Sequence, residues 1–252
     1  MDTFVSHPFV LSAVSLAAQW VAVYVGDLVR KKMRPVKEEE WADFDMVRTA
    51  AMALLGLIIG FSFAMAVTRY DQRKNLEEAE ANAIGTEYVR ADFLPAEDAA
   101  RARELLRRYV DKRVAFYLAH DESQVRQINA DTEKLHAELW SAIVRAVTTQ
   151  QTAVEALVVS GMNDVLNSQG YTQAAWWNRI PDAAWGLMGL IAISCNLLFG
   201  YGERRTSTLA LALPLIVSIA FFLIADIDSP RSGVIRNLPQ NLIALSQTMK
   251  TH

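Results

Sequence analysis

The sequence predicts an all-α membrane protein, with four transmembrane helices and a long-helix extramembrane stack. Three observations point there. Four apolar blocks are long enough to cross roughly 30 Å of hydrocarbon at about 1.5 Å per residue. Between the second and third blocks lie over a hundred residues with helical periodicity throughout. No alternating strand pattern competes with it.

The blocks are Phe9–Val25, Val47–Val67, Ala183–Phe199 and Leu209–Ala225. No basic residue precedes the first, and the run Arg30, Lys31, Lys32, Arg34 follows it, so it reads as a retained helix and not a cleaved leader. The second block enters a charged stretch with no Gly or Pro between them, so one helix leaves the membrane and continues in water. Pro95 closes that helix, because the residue before a proline avoids the α region. Ala96–Ala119 follows, with Glu97 and Asp98 in the first turn, where the helix dipole favours acids. Its apolar side carries Leu105, Leu106, Tyr109, Val110, Val114 and Tyr117. After a turn at His120–Ser123, a helix over Ser123–Asn167 is expected, with a seam of Ile128, Leu135, Leu139, Ala142, Ala146, Ala153 and Ala156. Gly170 is expected to end it. Trp176 and Trp177 fit an interfacial aromatic belt, and Pro181 a helix-opening position. Pro214 interrupts the fourth block, which neighbouring helices can accommodate. The chain is thus divided into 1–68 (two spans), 69–180 (the stack), 181–226 (two spans) and 227–252 (a tail).

Hydrophobic residues make up 52% of 252 and charged residues still 21%, so the apolar content must sit in blocks. A net charge of −3 argues against a nucleic-acid partner. The single cysteine, Cys195, cannot form an intrachain disulfide and reads as a buried thiol. His7, His120, His136 and His252 are isolated, and His136 shares a face with Glu133 as on a solvated helix. No phosphate-binding loop, nucleophile elbow or zinc signature is present, so no enzyme activity, metal or cofactor is expected. Acids on the long helices stand four residues from bases, as in Glu104–Arg108, the spacing of surface ion pairs.

The second helix holds the residues of most interest. Ala53, Leu57, Phe61, Ala64 and Thr68 share one face, which continues as Gln72, Asn75, Ala79, Asn82 and Thr86. The stripe is apolar first, then small or amide. Around a symmetry axis, Leu57 and Phe61 would form rings that stop ions by dewetting; against lipid or a core they would be ordinary packing. Arg69, Asp71, Arg73 and Lys74 either select ions at a pore mouth or merely flank the membrane exit. Gly56 and Gly60 form a Gly-x-x-x-Gly that permits close helix approach, within or between subunits. Asp226 and Asp228, ahead of Ser229 and Pro230, bind a cation or cap a turn.

The spacing Gly60-Phe61, then Val67-Thr68-Arg69-Tyr70, resembles the second transmembrane helix of bestrophins, where Trp is usual at the Tyr70 position. The stretches Glu78–Gly85, Tyr88–Pro95 and Asp226–Arg236 are similar to the bestrophin-like family of bacterial membrane proteins. The resemblance implies a pentameric ion channel in a bacterial inner membrane, with itself, lipid and small inorganic ions as partners. By motif, the family's neck falls on Ala53, Leu57 and Phe61, and Ala53 is smaller than the residue the family places there. Thr68, Gln72, Asn75 and Asn82 then continue the pore, with Arg69, Asp71 and Arg73 at its mouth. Anions are the family's usual cargo, and some prokaryotic relatives pass cations. The calcium-binding acidic run of eukaryotic bestrophins has no counterpart here beyond Asp226 and Asp228. The alternative function is a non-conducting scaffold or sensor whose helical stack binds another protein.

Orientation is read two ways. Arg30, Lys31, Lys32, Arg34 and Lys37 after the first span, with Arg204 and Arg205 between the last two, place that face in the cytoplasm by the positive-inside rule. The stack and His252 would then lie outside. The bestrophin resemblance implies the reverse.

Overall fold

The computed structural model describes residues 7–32, 36–147, 152–202 and 211–251. Arg34, Arg204, Arg205, His252 and the opening residues of the expected fourth span, Leu209 and Ala210, lie outside them. The described residues form helices and no strand. The helices are α1 (Pro8–Lys32), α2 (Trp41–Arg90), α3 (Ala96–Leu118), α4 (Glu122–Val147), α5 (Ala153–Trp177), α6 (Asp182–Gly202), α7 (Ala212–Asp228) and α8 (Gln240–Thr251). Short 3-10 turns over Glu38–Glu40 and Ala91–Phe93 precede and follow α2. The chain divides into two compact units, Met1–Arg69 with Arg179–Ile235, and Tyr70–Asn178 with Arg236–His252.

In the first unit α1 packs along α6 and α7. Glycine sets the closest approach. A methyl on Gly200 would overlap the Val23 carbonyl, and one on Gly26 the Leu197 carbonyl. Side chains of this size let helix backbones meet where lipid supplies no hydrophobic drive. A polar network ties the same three helices. Gln19 Nε2 donates to Ser218 Oγ at 3.1 Å and to Ser15 Oγ at 2.7 Å, while Asn196 Nδ2 donates to Gln19 Oε1 at 2.9 Å. Cys195 is buried, its thiol directed at the Ala51 carbonyl at 3.3 Å. Among the described residues, three helical segments, within Pro8–Lys32, Glu38–Phe93 and Ala153–Gly202, are long and apolar enough to cross a membrane. The described part of α7 has 17 residues, about 26 Å of helix. Pro214 does not interrupt it. It stands in the first turn, where no intrahelical N–H is required.

The second unit packs the remainder of α2 with α3, α4, α5 and α8. Its core holds Ile84, Leu106, Tyr109, Val110, Leu139, Ile143, Val158, Met162 and Leu242. Phe116, Tyr117 and Trp176 meet edge to face, with ring centroids 5.2–5.7 Å apart. The expected continuous helix over Ser123–Asn167 is two helices. Thr152 is extended, and its hydroxyl accepts from the Glu155 N–H at 3.2 Å while Glu155 accepts from the Thr152 N–H at 2.8 Å. That capping box starts α5 afresh. The expected seam accordingly holds along α4, where Leu135, Leu139, Ala142 and Ala146 are buried, and fails at Ala153 and Ala156, which are exposed. Gly170 does not end α5, which runs on to Trp177. Trp176 therefore points into the core, 5% exposed, and only Trp177, 74% exposed, remains available to an interface. The tail contains a helix not anticipated, α8, whose Ser246 donates to Asp111 at 2.7 Å and whose Lys250 pairs with it at 3.1 Å.

Candidate functional site: the two faces of α2

α2 runs for 50 residues, contributing its first part to the first unit and the rest to the second. Its burial is strictly sided. Leu55, Ser62 and Ala66 face inward in the first unit; Arg73, Glu77, Glu80, Ile84 and Glu87 face inward in the second. The steps of three, four and seven residues keep one helical stripe.

The opposite stripe is uncovered. Ala53, Leu57, Phe61, Ala64 and Thr68 are all exposed, Leu57 at 54% and Phe61 at 64%. In the second unit Gln72, Asn75, Ala79, Asn82 and Thr86 are exposed as well. Thr68 Oγ1 donates to the Ala64 carbonyl at 2.9 Å, so the hydroxyl is turned back onto its own helix. Gly56 and Gly60 are exposed, and a Cβ on either would meet nothing within 4 Å. Among the described residues nothing packs on them. In the first unit, glycines that bring helix backbones together are Gly26 and Gly200, which carry no motif.

The charges expected at the mouth separate. Asp71 is exposed. Arg69 is turned to Asp228, with its guanidinium 3.6 Å from Oδ1. Arg73 is buried within the second unit, on the face opposite Gln72 and Asn75, and does not join the exposed stripe. Asp226 and Asp228 are both buried and organise the turn after α7. Asp226 accepts from the Val234 N–H at 2.7 Å and the Ile235 N–H at 2.8 Å, and Asp228 accepts from the Ile180 N–H at 2.9 Å. Gly233 is required there, since any Cβ would press on the Asp226 carbonyl.

Behind the exposed stripe lies a set of buried carboxylates that sequence reasoning missed. Glu80 and Arg113 form an ion pair with neither side chain exposed. Arg113 Nη2 lies 3.3 Å from Glu80 Oε2, which also accepts from Thr172 at 3.0 Å and Tyr117 at 3.4 Å. Burial works against the Arg113 charge, and the Glu80 carboxylate more than offsets it, holding the guanidinium above its usual range. Burial, then the Glu80 charge, raises the phenols of Tyr109 and Tyr117. Glu77 accepts from Asn241 Nδ2 at 2.7 Å and from the Leu242 N–H at 2.9 Å, satisfying the first turn of α8. His136 is not on a solvated face. It is half-buried, 3.3 Å from the Tyr109 hydroxyl, and burial followed by the Arg113 charge lowers its pKa to about 4. The expected Glu104–Arg108 pair is replaced: Arg108 reaches Glu138 at 3.4 Å, and Glu104 approaches Arg107 at 3.9 Å. Among the described residues, no group of three His, Cys, Asp or Glu side chains is arranged to hold a metal.

The family model described as a bestrophin-like domain matches residues 13–242. The chain belongs to the bestrophin-like family. Solved structures with the same fold include a bacterial bestrophin homologue from Klebsiella pneumoniae, at 14% identity and a TM-score of 0.61, covering 95% of this chain and 94% of that one. A single-substitution variant of the Klebsiella homologue matches at 12% identity and TM-score 0.64, covering 99% and 97%. A second variant gives 12% and 0.66, covering 95% and 94%. No curated protein matches the chain.

Proposed function

We propose that this bestrophin-like protein is an oligomeric ion channel that passes ions down their gradient along a central axis. Four helices span the membrane in this reading, α7 with the residues before it supplying the fourth, in the inner membrane of a bacterium. The observation that carries the proposal is the uncovered stripe of α2. It is apolar from Ala53 to Ala64, carries amides between Gln72 and Asn82, and among the described residues is met by nothing at Gly56 or Gly60. An apolar stripe without a partner is a surface that closure into a symmetric ring would use. Copies arranged with α2 inward place Leu57 and Phe61 as successive hydrophobic rings, with Ala53 a wider ring one turn away. Gln72, Asn75 and Asn82 line the hydrated continuation. Asp71 and Lys74 are the exposed charges of the mouth cluster in this reading; Arg69 is engaged by Asp228 and Arg73 turns inward. A pentamer carrying anions is the arrangement the family suggests.

Current through purified protein in planar bilayers tests this reading. Hydrophobic constrictions wet more easily when wider or less apolar, so Leu57→Ala with Phe61→Ala raises single-channel current. Wild-type current unchanged by the pair of substitutions removes the neck from these residues. No current from any form removes conduction and leaves the scaffold reading. Native mass spectrometry of the detergent-solubilised protein counts subunits, and a stable monomer defeats the ring.

A further inference from the structure

Glu87 lies on the inner face of α2, 1% exposed, and neither of its carboxylate oxygens has a hydrogen-bond partner. The other buried glutamates of that face are satisfied, Glu77 by Asn241 and the Leu242 N–H, Glu80 by Arg113, Thr172 and Tyr117. Glu87 stands against α5 at Gly161, where a methyl group would overlap its Oε2. The charged groups facing it are Arg90, from its own helix, and Asp164, from α5. Arg90 does not bond to it; Nη1 points to the Leu157 carbonyl on α5 at 3.4 Å. An ionised carboxylate with no donor, in a contact tight enough to demand glycine, is costly to bury, whereas the neutral acid is much less so.

We propose that Glu87 is a proton-operated latch between α2 and α5, neutral while Gly161 is seated on it and ionised when that contact opens. Because α2 also carries the exposed stripe, the latch acts on the helix whose other face is the candidate pore wall. The latch itself stands on the packing of the second unit and does not depend on conduction. Burial raises the proton affinity of Glu87 most, the Asp164 charge adds to it and Arg90 opposes it, leaving a pKa of about 8 against an ordinary 4.5. The folded state therefore binds the proton more tightly than the opened state. The closed contact is fully stable below about pH 4.5, weakens as pH rises toward 8, and changes no further above that.

Hydrogen exchange on the full-length protein in detergent tests the latch. Peptides covering 153–177 are followed between pH 5 and 9, with rates corrected for base catalysis. Wild-type protection around Gly161 falls by up to about tenfold per pH unit until near pH 8, and Glu87→Gln, which keeps the shape without the charge, holds it flat. Equal pH profiles for the two proteins overturn the proposal, as does a flat wild-type profile. Asp164→Asn, at an exposed position, keeps Glu87 in place should the first variant misfold. Removing that negative charge moves the midpoint of the response to lower pH, and an unmoved midpoint also overturns the latch.

Discussion

Arg113 has no exposure, and its guanidinium meets a carboxylate with none either. Arg113→Met removes the guanidinium and leaves the buried Glu80 carboxyl without its ion-pair partner. Breaking a buried pair from one side costs about 3–5 kcal/mol. Glu80 keeps two donors, the Thr172 hydroxyl at 3.0 Å and the Tyr117 hydroxyl at 3.4 Å, which sets the loss near the lower end, about 3 kcal/mol. The guanidinium also lies 4.6 Å from the centre of the Phe116 ring, and losing that contact adds about 0.5–1 kcal/mol. For a chain of this length the sum lowers Tm by about 7–16 °C. Trp176, edge to face with Phe116 and Tyr117, contributes to the signal in fluorescence-detected melting in detergent. Adding Glu80→Leu to Arg113→Met removes the stranded charge and restores at least half of the loss. The reasoning fails if Arg113→Met melts within about 2 °C of wild type, or if the double variant is less stable than both single ones.

Three further outcomes follow from the geometry. Gly200→Ala forces a methyl into the Val23 carbonyl and costs about 1–3 kcal/mol, whereas Gly186→Ala on the same helix meets open space and is neutral or stabilising by up to about 1 kcal/mol; paired melting curves distinguish the two. His136, with its pKa lowered to about 4 from 6.5, stays neutral in the folded chain while the unfolded chain takes up a proton, so stability is complete above pH 6.5 and falls as pH drops toward 4. The loss reaches about 3 kcal/mol at most, and His136→Gln flattens it in Tm measured against pH. The basic loop after α1 places that side in the cytoplasm by the positive-inside rule and the C-terminus outside, so a C-terminal fusion to a reporter active only outside should give signal; a cytoplasmic signal reverses the orientation and agrees with that of bestrophins.

The apolar spans and the ends of α3 were legible because each rests on local chemistry. Length and hydropathy mark α1, α6 and the first part of α2, and Pro95 with Glu97 and Asp98 marks the start of α3. The break between α4 and α5 was written in the sequence as Thr152 and Glu155, three residues apart. The apolar spacing from Ile128 to Ala156 hid it, since small residues satisfy helical periodicity whether buried or not. α8 was not legible, because the groups that satisfy its first turn come from Glu77, far back in the chain. The inner stripe of α2 was missed for the same reason. Glu77, Glu80 and Glu87 have the spacing of one face, but polarity assigns such a face to water unless partners such as Arg113 and Thr172 are known. Gly56 and Gly60 show the converse. Their motif permits close approach within or between subunits, and among the described residues no contact uses it, whereas Gly26 and Gly200 lie close to facing backbone because their helices run side by side.

The polypeptide passes between the two units at three places, after Arg69, after Asn178 and after Ile235. On the first unit's side each passage is held by one of two carboxylates. Asp228 grips Arg69 and the Ile180 amide, and Asp226 grips the Ile235 amide. Three separate stretches of chain are thus knotted to a single turn at the end of α7. Within the first unit, three stretches far apart in sequence thus share one anchor, made of a few hydrogen bonds and one ion pair. Neutralising Asp228 would release two of them at once, Arg69 and the Ile180 amide, whereas neutralising Asp226 would release only the backbone around Ile235.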